Sequence, residues 1–167
     1  ARVQGGALLA IRYGRGNYPG WQAERILTPA YIPVCRPDLP GLMSPLSSAE
    51  EIRQFTLIHD ATLRNSSLLP GWTQWLQLAG VNGKPVRRGL HFSNTVLAIE
   101  AALAGQGVAL VPSVLVEAEI AAQRLCQIFP LSLASPYAYW LLLPRRAELP
   151  AALRAFRDWV LAAGLQS

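Results

Sequence analysis

Apolar positions along this chain fall into short strand-like runs and longer helical stripes, separated by clusters of Gly, Pro, Asn and Ser. The clearest stretch is Arg87 to Pro112. Leu90 and Phe92 alternate with polar neighbours, as in a strand. Ser93, Asn94 and Thr95 follow, three side chains whose oxygens can accept from the free N–H groups that open a helix. Val96, Leu97, Ile99, Ala102 and Leu103 then form a broad apolar helix face. Gly105 and Gly107 end the helix, because glycine enters the left-handed conformation without steric cost, and Val108 to Val111 is a short buried strand.

The same reading places strands at Ala7–Ile11, Glu24–Thr28, Tyr31–Cys35, Phe55–Ile58, Leu125–Phe129 and Tyr137–Leu143. A short helix capped by Ser47 or Ser48 is predicted over Ala49–Arg53, with Ser47 and Glu50 spaced as a capping box. A second runs over Leu69–Ala79, where Trp72, Trp75, Leu76 and Ala79 share one face. A third spans Val114 to about Gln123. The last starts at Pro150, with Leu153, Phe156, Val160 and Ala163 on one face and Arg154, Arg157 and Asp158 off it. Alternation of strands and helices predicts an α/β fold with a mixed, mainly parallel sheet.

Composition narrows the function. Of the 167 residues 51% are apolar and 15% charged, which is enough to bury a core. The formal net charge is +5, but the basic residues are scattered and no aromatic residues interleave with a basic stripe. An anionic small ligand suits that balance better than nucleic acid. Cys35 and Cys126 are far apart and, with two histidines, make no metal-binding spacing. They read as free thiols in a reducing cytoplasm, or as one disulfide. No secretory leader is read in residues 1 to 20, which contain Arg2, Arg12 and Arg15, and Pro130, Pro136 and Pro144 interrupt the one long uncharged run. The glycines at 14, 16 and 20 do not form a dinucleotide loop, because Pro19 stands where the third glycine belongs. Neither a GxSxG elbow nor an HExxH helix occurs. His59 and Asp60 adjoin, but strand neighbours point to opposite faces and cannot form a relay. No catalytic residues, metal or cofactor are therefore expected, and His59 and His91 read as structural or ligand-contacting.

The fragments AIRYGRGNYPG, ERILTPAYIPVCRPDL, FTLIHD, WTQWLQLAGV, HFSNTVLAIEAALAGQGVALVP, YWLLLP and FRDWVLAAG, in that order, resemble the effector-binding domain of a LysR-type transcriptional regulator. They are similar to the glycine-cleavage-activator and β-lactamase-regulator branch. The resemblance implies a fold like the type 2 periplasmic binding proteins, with two α/β lobes joined by two crossover strands and a small-molecule cleft between them. Lobe I, incomplete in this chain, would hold residues 1–34 plus 145–167, and lobe II residues 35–144. The family's winged helix-turn-helix, and the first strand–helix–strand of its lobe I, have no counterpart in this sequence.

Carried over position by position, the resemblance implies ligand contacts from Tyr13 and Gly14, from His59, Asp60 and Ala61, from Ser93, Asn94 and Thr95, and from Tyr139. Read from the residues alone, Ser93 to Thr95 either cap a core helix or present its N-terminus to a polar or anionic ligand. The implied protein is a cytoplasmic sensor of a small effector, homodimeric or homotetrameric at full length. It would meet DNA only through the N-terminal domain absent here, with no membrane association. The rival readings are a solute-binding protein of the same fold serving a transporter and an enzyme on this fold, for which the sequence shows no convincing nucleophile or acid–base pair.

Overall fold

A computed structural model describes residues 9–43, 45–60, 71–83, 89–145 and 149–164. In chain order its strands and α-helices are β1 (Ala10–Gly14), β2 (Trp21–Leu27), β3 (Ala30–Cys35), β4 (Leu57–Asp60), α1 (Trp72–Leu78), β5 (Leu90–Phe92), α2 (Thr95–Leu103), β6 (Val108–Pro112), α3 (Glu117–Ala121), β7 (Cys126–Gln127), β8 (Leu133–Ala134), β9 (Ala138–Pro144) and α4 (Ala151–Gly164). Contacts divide the chain into two compact units, Ala1–Pro29 with Pro136–Ser167, and Ala30–Ser135. Within the first unit β9 pairs with β1 and β2, and within the second β3 pairs with β6, β7 and β8.

In the first unit β9 lies between β1 and β2, antiparallel to both. Val160 of α4, with half-buried Leu161, packs on Ile26, Leu141 and Leu143. The helix face differs from the expected one. Leu153, Arg157, Val160, Leu161 and Gly164 are turned inward, while Phe156 and Ala163 are exposed. The cause is Arg157, whose Nε and Nη2 donate to Glu24 of β2 at 2.7 and 2.8 Å and so draw a charged position into the seam. Exposed Phe156 and Trp159 lean on each other at 6.0 Å.

The second unit holds a sheet in the order β5-β4-β6-β3-β7, with β8 also pairing with β3. Alternate residues of each strand feed opposite faces. Leu57, Val108, Leu110 and Cys35 meet Trp72, Trp75 and Leu76 of α1 together with Ile52. On the other face Ile58, Ala109, Val111, Ile32 and Val34 meet Ala98, Ile99, Ala101 and Ala102 of α2. The sheet is mixed but not mainly parallel: β4 runs parallel to β5 and β6, whereas β3 runs against β6, β7 and β8. The strand–helix–strand alternation sets direction only within β4, β5 and β6.

Several local expectations shift. Of the two expected caps, Ser48 precedes the short helical turn Ala49–Gln54, but the box forms with Glu51 rather than Glu50: the Ser48 N–H donates to Glu51 at 3.0 Å, and Glu50 pairs with Arg53. The helix expected over Val114–Gln123 is a tight turn, Ser113–Leu115, followed by the short α3. The α1 helix starts at Trp72 behind Gly71; Leu69 and Pro70 lie outside the described residues. In α2 the buried residues are Ala98, Ile99, Ala101 and Ala102, and the expected face members Val96 and Leu97 are exposed. A small-residue face lets the helix lie close on β6, leaving the larger side chains outside.

Candidate functional site

In the second unit β4 ends at His59-Asp60, and β5 runs beside it in parallel with His59 opposite His91 and Asp60 opposite Phe92. The chain then makes the polar turn Ser93-Asn94 and enters α2. Asn94 is the N-cap, and its side chain accepts from the Leu97 N–H at 2.9 Å. The Thr95 hydroxyl donates to the Asp60 carboxylate, tying the first residue of α2 to the end of β4. Ser93 is exposed, as are Val96 and Leu97, so the opening turn of the helix faces solvent. The N–H groups of a first helical turn have no intrahelical acceptor and carry the positive end of the helix dipole. Asp60 supplies negative charge there, and the turn combines donors and acceptors within one small region.

His59 points to the other side of its strand. Its ring stacks on that of His91 at 4.4 Å with an interplanar angle of 12°. Alternation along the strand keeps His59 and Asp60 from forming a relay: Asp60 serves Thr95 and His59 serves His91. The pairing with His91 was not foreseen, because it depends on the parallel register of two strands far apart in sequence.

In the first unit Tyr13 and Tyr139 are register partners of β1 and β9, with ring centroids 4.9 Å apart. Tyr137 meets Tyr13 edge-on at 5.7 Å, and the Arg15 guanidinium stands over the Tyr137 ring at 5.7 Å. Burial, and then Tyr13, pushes the Tyr139 hydroxyl up from its usual value, so it remains a donor. The carbonyl of Gly14 accepts from the Trp140 indole N–H at 2.9 Å. Tyr137 and Arg15, just outside the ends of β9 and β1, extend the cluster beyond the residues expected from the sequence; the signal available was their placement two residues from Tyr139 and Tyr13.

Of the expected site residues, then, Asp60, Ser93, Asn94 and Thr95 gather at the start of α2, with His59 one residue away facing His91. Tyr13, Gly14 and Tyr139 gather in the first unit, and Ala61 lies outside the described residues. Two surface depressions lie elsewhere. One of about 570 Å³ is lined by Arg36, Asp38, Leu103, Gln123 and Arg124, but its cations are engaged by Asp38 and Glu119. The other, of about 540 Å³, is lined by Tyr18, Trp21, Gln22 and Arg145 among others. Among the described residues no cluster of three or more His, Cys, Asp or Glu side chains could hold a metal ion, and no helix is long and apolar enough to cross a membrane.

Comparison with known proteins identifies relatives. Residues 2–164 match the family model described as the LysR substrate binding domain. The chain is 38% identical over 155 residues to the glycine cleavage system transcriptional activator of Escherichia coli, covering 92% of this chain and 48% of that protein. It is 35% identical over 153 residues to the HTH-type transcriptional activator AmpR of Enterobacter cloacae, covering 90% and 49% respectively. The chain thus spans about half the length of these curated relatives. Among solved structures, it resembles the effector domain of the transcriptional regulator AmpR of Pseudomonas aeruginosa with a TM-score of 0.72 and 27% identity, covering 94% of this chain and 72% of that one. The relatives are named as transcription activators, which favours the regulator over the transporter reading.

Proposed function

The chain belongs to the LysR substrate-binding-domain family, and from that premise we propose that it senses a small polar or anionic effector on behalf of a transcription regulator. The observation that carries this reading is the Thr95–Asp60 hydrogen bond, which holds the exposed opening turn of α2 in one arrangement at the end of β4. Such a turn offers preset N–H donors and the Ser93 hydroxyl to a carboxylate, phosphate or amide oxygen. In the first unit, Tyr13 and Tyr139 offer ring faces with polar tips, which suits the same class of ligand. Ligand binding then controls transcription by favouring one conformation of the protein, which requires unequal affinity for its two states. DNA is met through a separate DNA-binding part of a cytoplasmic homodimer or homotetramer.

A thermal-shift screen of amino acids, small carboxylic acids and short peptides tests this. A ligand present at about 100 times its dissociation constant stabilises the fold by about 2.7 kcal/mol. Binding of that ligand is expected to weaken at least about tenfold in Ser93→Ala and in Tyr139→Phe, each removing one hydrogen bond to a charged or polar group, worth about 1.5–3 kcal/mol where the ligand group is charged. Unchanged affinity in both variants, measured by titration calorimetry, would refute the assignment of these residues.

A further inference from the structure

Strand β7 is the short outer strand of the second unit's sheet, and the antiparallel register sets its Cys126 directly opposite Cys35 of β3. Register partners project to the same face of a sheet. Both thiols lie on the apolar cluster under α1, Cys35 as a fully buried member and Cys126 packed against it and half-buried. The Ile128 N–H donates to the Pro33 carbonyl at 3.1 Å. Residues 33 and 128 are therefore a hydrogen-bonded pair, and so, two residues along each strand, are 35 and 126. In such pairs the Cα atoms are about 5.5 Å apart, within the range of about 4.4–6.8 Å that a disulfide spans. The Cys35 thiol donates to the Arg36 carbonyl at 3.3 Å. Its contact with the Cys126 thiol, together with burial and the nearby Asp38 carboxylate, pushes it far up. Cys35 therefore keeps its proton, and the half-exposed Cys126 is the thiol that an oxidant meets first.

We propose that Cys35 and Cys126 are a modification site that closes into a reversible cross-strand disulfide when the protein meets a hydroperoxide. The Cys126 sulfur attacks the peroxide, forming an S–O bond as the O–O bond breaks, and the leaving oxygen takes up the Cys126 proton to depart as an alcohol, or as water from hydrogen peroxide. Cys126 is now a sulfenic acid. The Cys35 sulfur displaces its oxygen, the S–S bond forms as the S–O bond breaks, and the Cys35 proton leaves with the oxygen as water. Two thiols have lost two electrons and one hydroperoxide has gained them. The crosslink staples β7 to β3 and closes a loop that contains β4, β5 and α2, and with them Asp60 and the Ser93–Thr95 turn. A thiol–disulfide partner reverses it by exchange at Cys126, the more accessible sulfur.

The test treats the full reduced chain with hydrogen peroxide, alkylates it under denaturing conditions and maps the peptides by mass spectrometry. A Cys35–Cys126 crosslinked peptide is expected, with both residues recovered as alkylated thiols after dithiothreitol. The oxidised protein is expected to melt at a higher temperature, and the shift to vanish on reduction. In Cys35→Ser, Cys126 is expected to stop at a sulfenic acid that dimedone traps. Mapping of the unsubstituted chain decides the matter even if that variant fails to fold. The proposal is overturned if Cys126 proceeds to sulfinic acid while Cys35 remains alkylatable, if the disulfide joins two molecules, or if both thiols survive treatment unchanged.

Discussion

The Glu24–Arg157 pair is where a single side chain sets the seam of an element. Glu24 is 17% exposed and Arg157 34%, and the two are joined by a bidentate contact. The Arg157 hydrogen bond holds the Glu24 carboxyl below its usual value of 4.5 against the opposing effect of burial. A carboxyl lowered in the folded state stabilises fully above its unfolded value, and the contribution fades as pH falls through the lower folded value. Glu24→Gln is therefore expected to cost about 1 kcal/mol at neutral pH, in the upper part of the range for partly exposed pairs. The difference from the unsubstituted chain should close in acid, where Glu24 is protonated in both states. Urea denaturation at the two pH values checks this. Gly107 makes a second residue-scale demand. Its φ is +155°, and an added Cβ would lie 2.1 Å from the Thr56 carbonyl, which already accepts the Val108 N–H at 2.9 Å. Gly107→Ala is expected to destabilise by about 1–3 kcal/mol, the scale of a forced backbone outlier, as read from the shift in the urea midpoint.

At the scale of elements, the glycine that ends α2 was legible in the sequence and helix rotation was not. The helix end at Gly105 follows from chemistry confined to a few residues. Its φ is +73°, and the N–H groups of Gly105 and Gln106 return to the carbonyls of Ala102 and Ala101. Which face of α2 is buried depends instead on the partner. Counting large apolar side chains selects Val96 and Leu97, whereas the flat surface of β6, with Ala109 and Val111, accepts the closer approach of Ala98 and Ala102. In α4 the same counting favoured Phe156 and missed Arg157, because an ion pair with a strand over 130 residues away leaves no trace in local periodicity. The α2 reading makes a contrast that stability measurements resolve. Ala102→Leu adds volume at a fully buried position and is expected to cost about 1–3 kcal/mol. Val96→Ser, at a position 64% exposed, is expected to stay within about 0.5 kcal/mol of the unsubstituted chain. Equal costs would mean that α2 packs on the face first read from its sequence.

For the molecule as a whole, the order of motifs carried the family and fold, while strand direction was visible only where a helix intervenes between neighbours. The alternation of β4, α1, β5, α2 and β6 announces a parallel arrangement, but β3 lies between β6 and β7 and runs against both, a choice written in no local pattern. The candidate site was legible to the same extent: the Asn94 cap and the Tyr13 and Tyr139 positions stand in recognisable motifs, whereas the His59–His91 stack and the Cys35–Cys126 pairing exist only through register. The architecture also predicts unequal local stability. In the second unit, clusters on both faces cover β3, β4 and β6, whose residues Val34, Leu57, Ile58, Val108 and Val111 are buried almost completely. In the first unit, β1 exposes Ile11 and Arg12, and α4 buries Val160 while leaving Trp159 outside. Amide exchange follows the cost of opening each region, which rises with buried apolar contact. Deuterium uptake should therefore be slowest in β3 and β6 and distinctly faster in β1 and the exposed turns of α4, and a uniform exchange rate across these segments would show that the two cores open together as one cooperative unit.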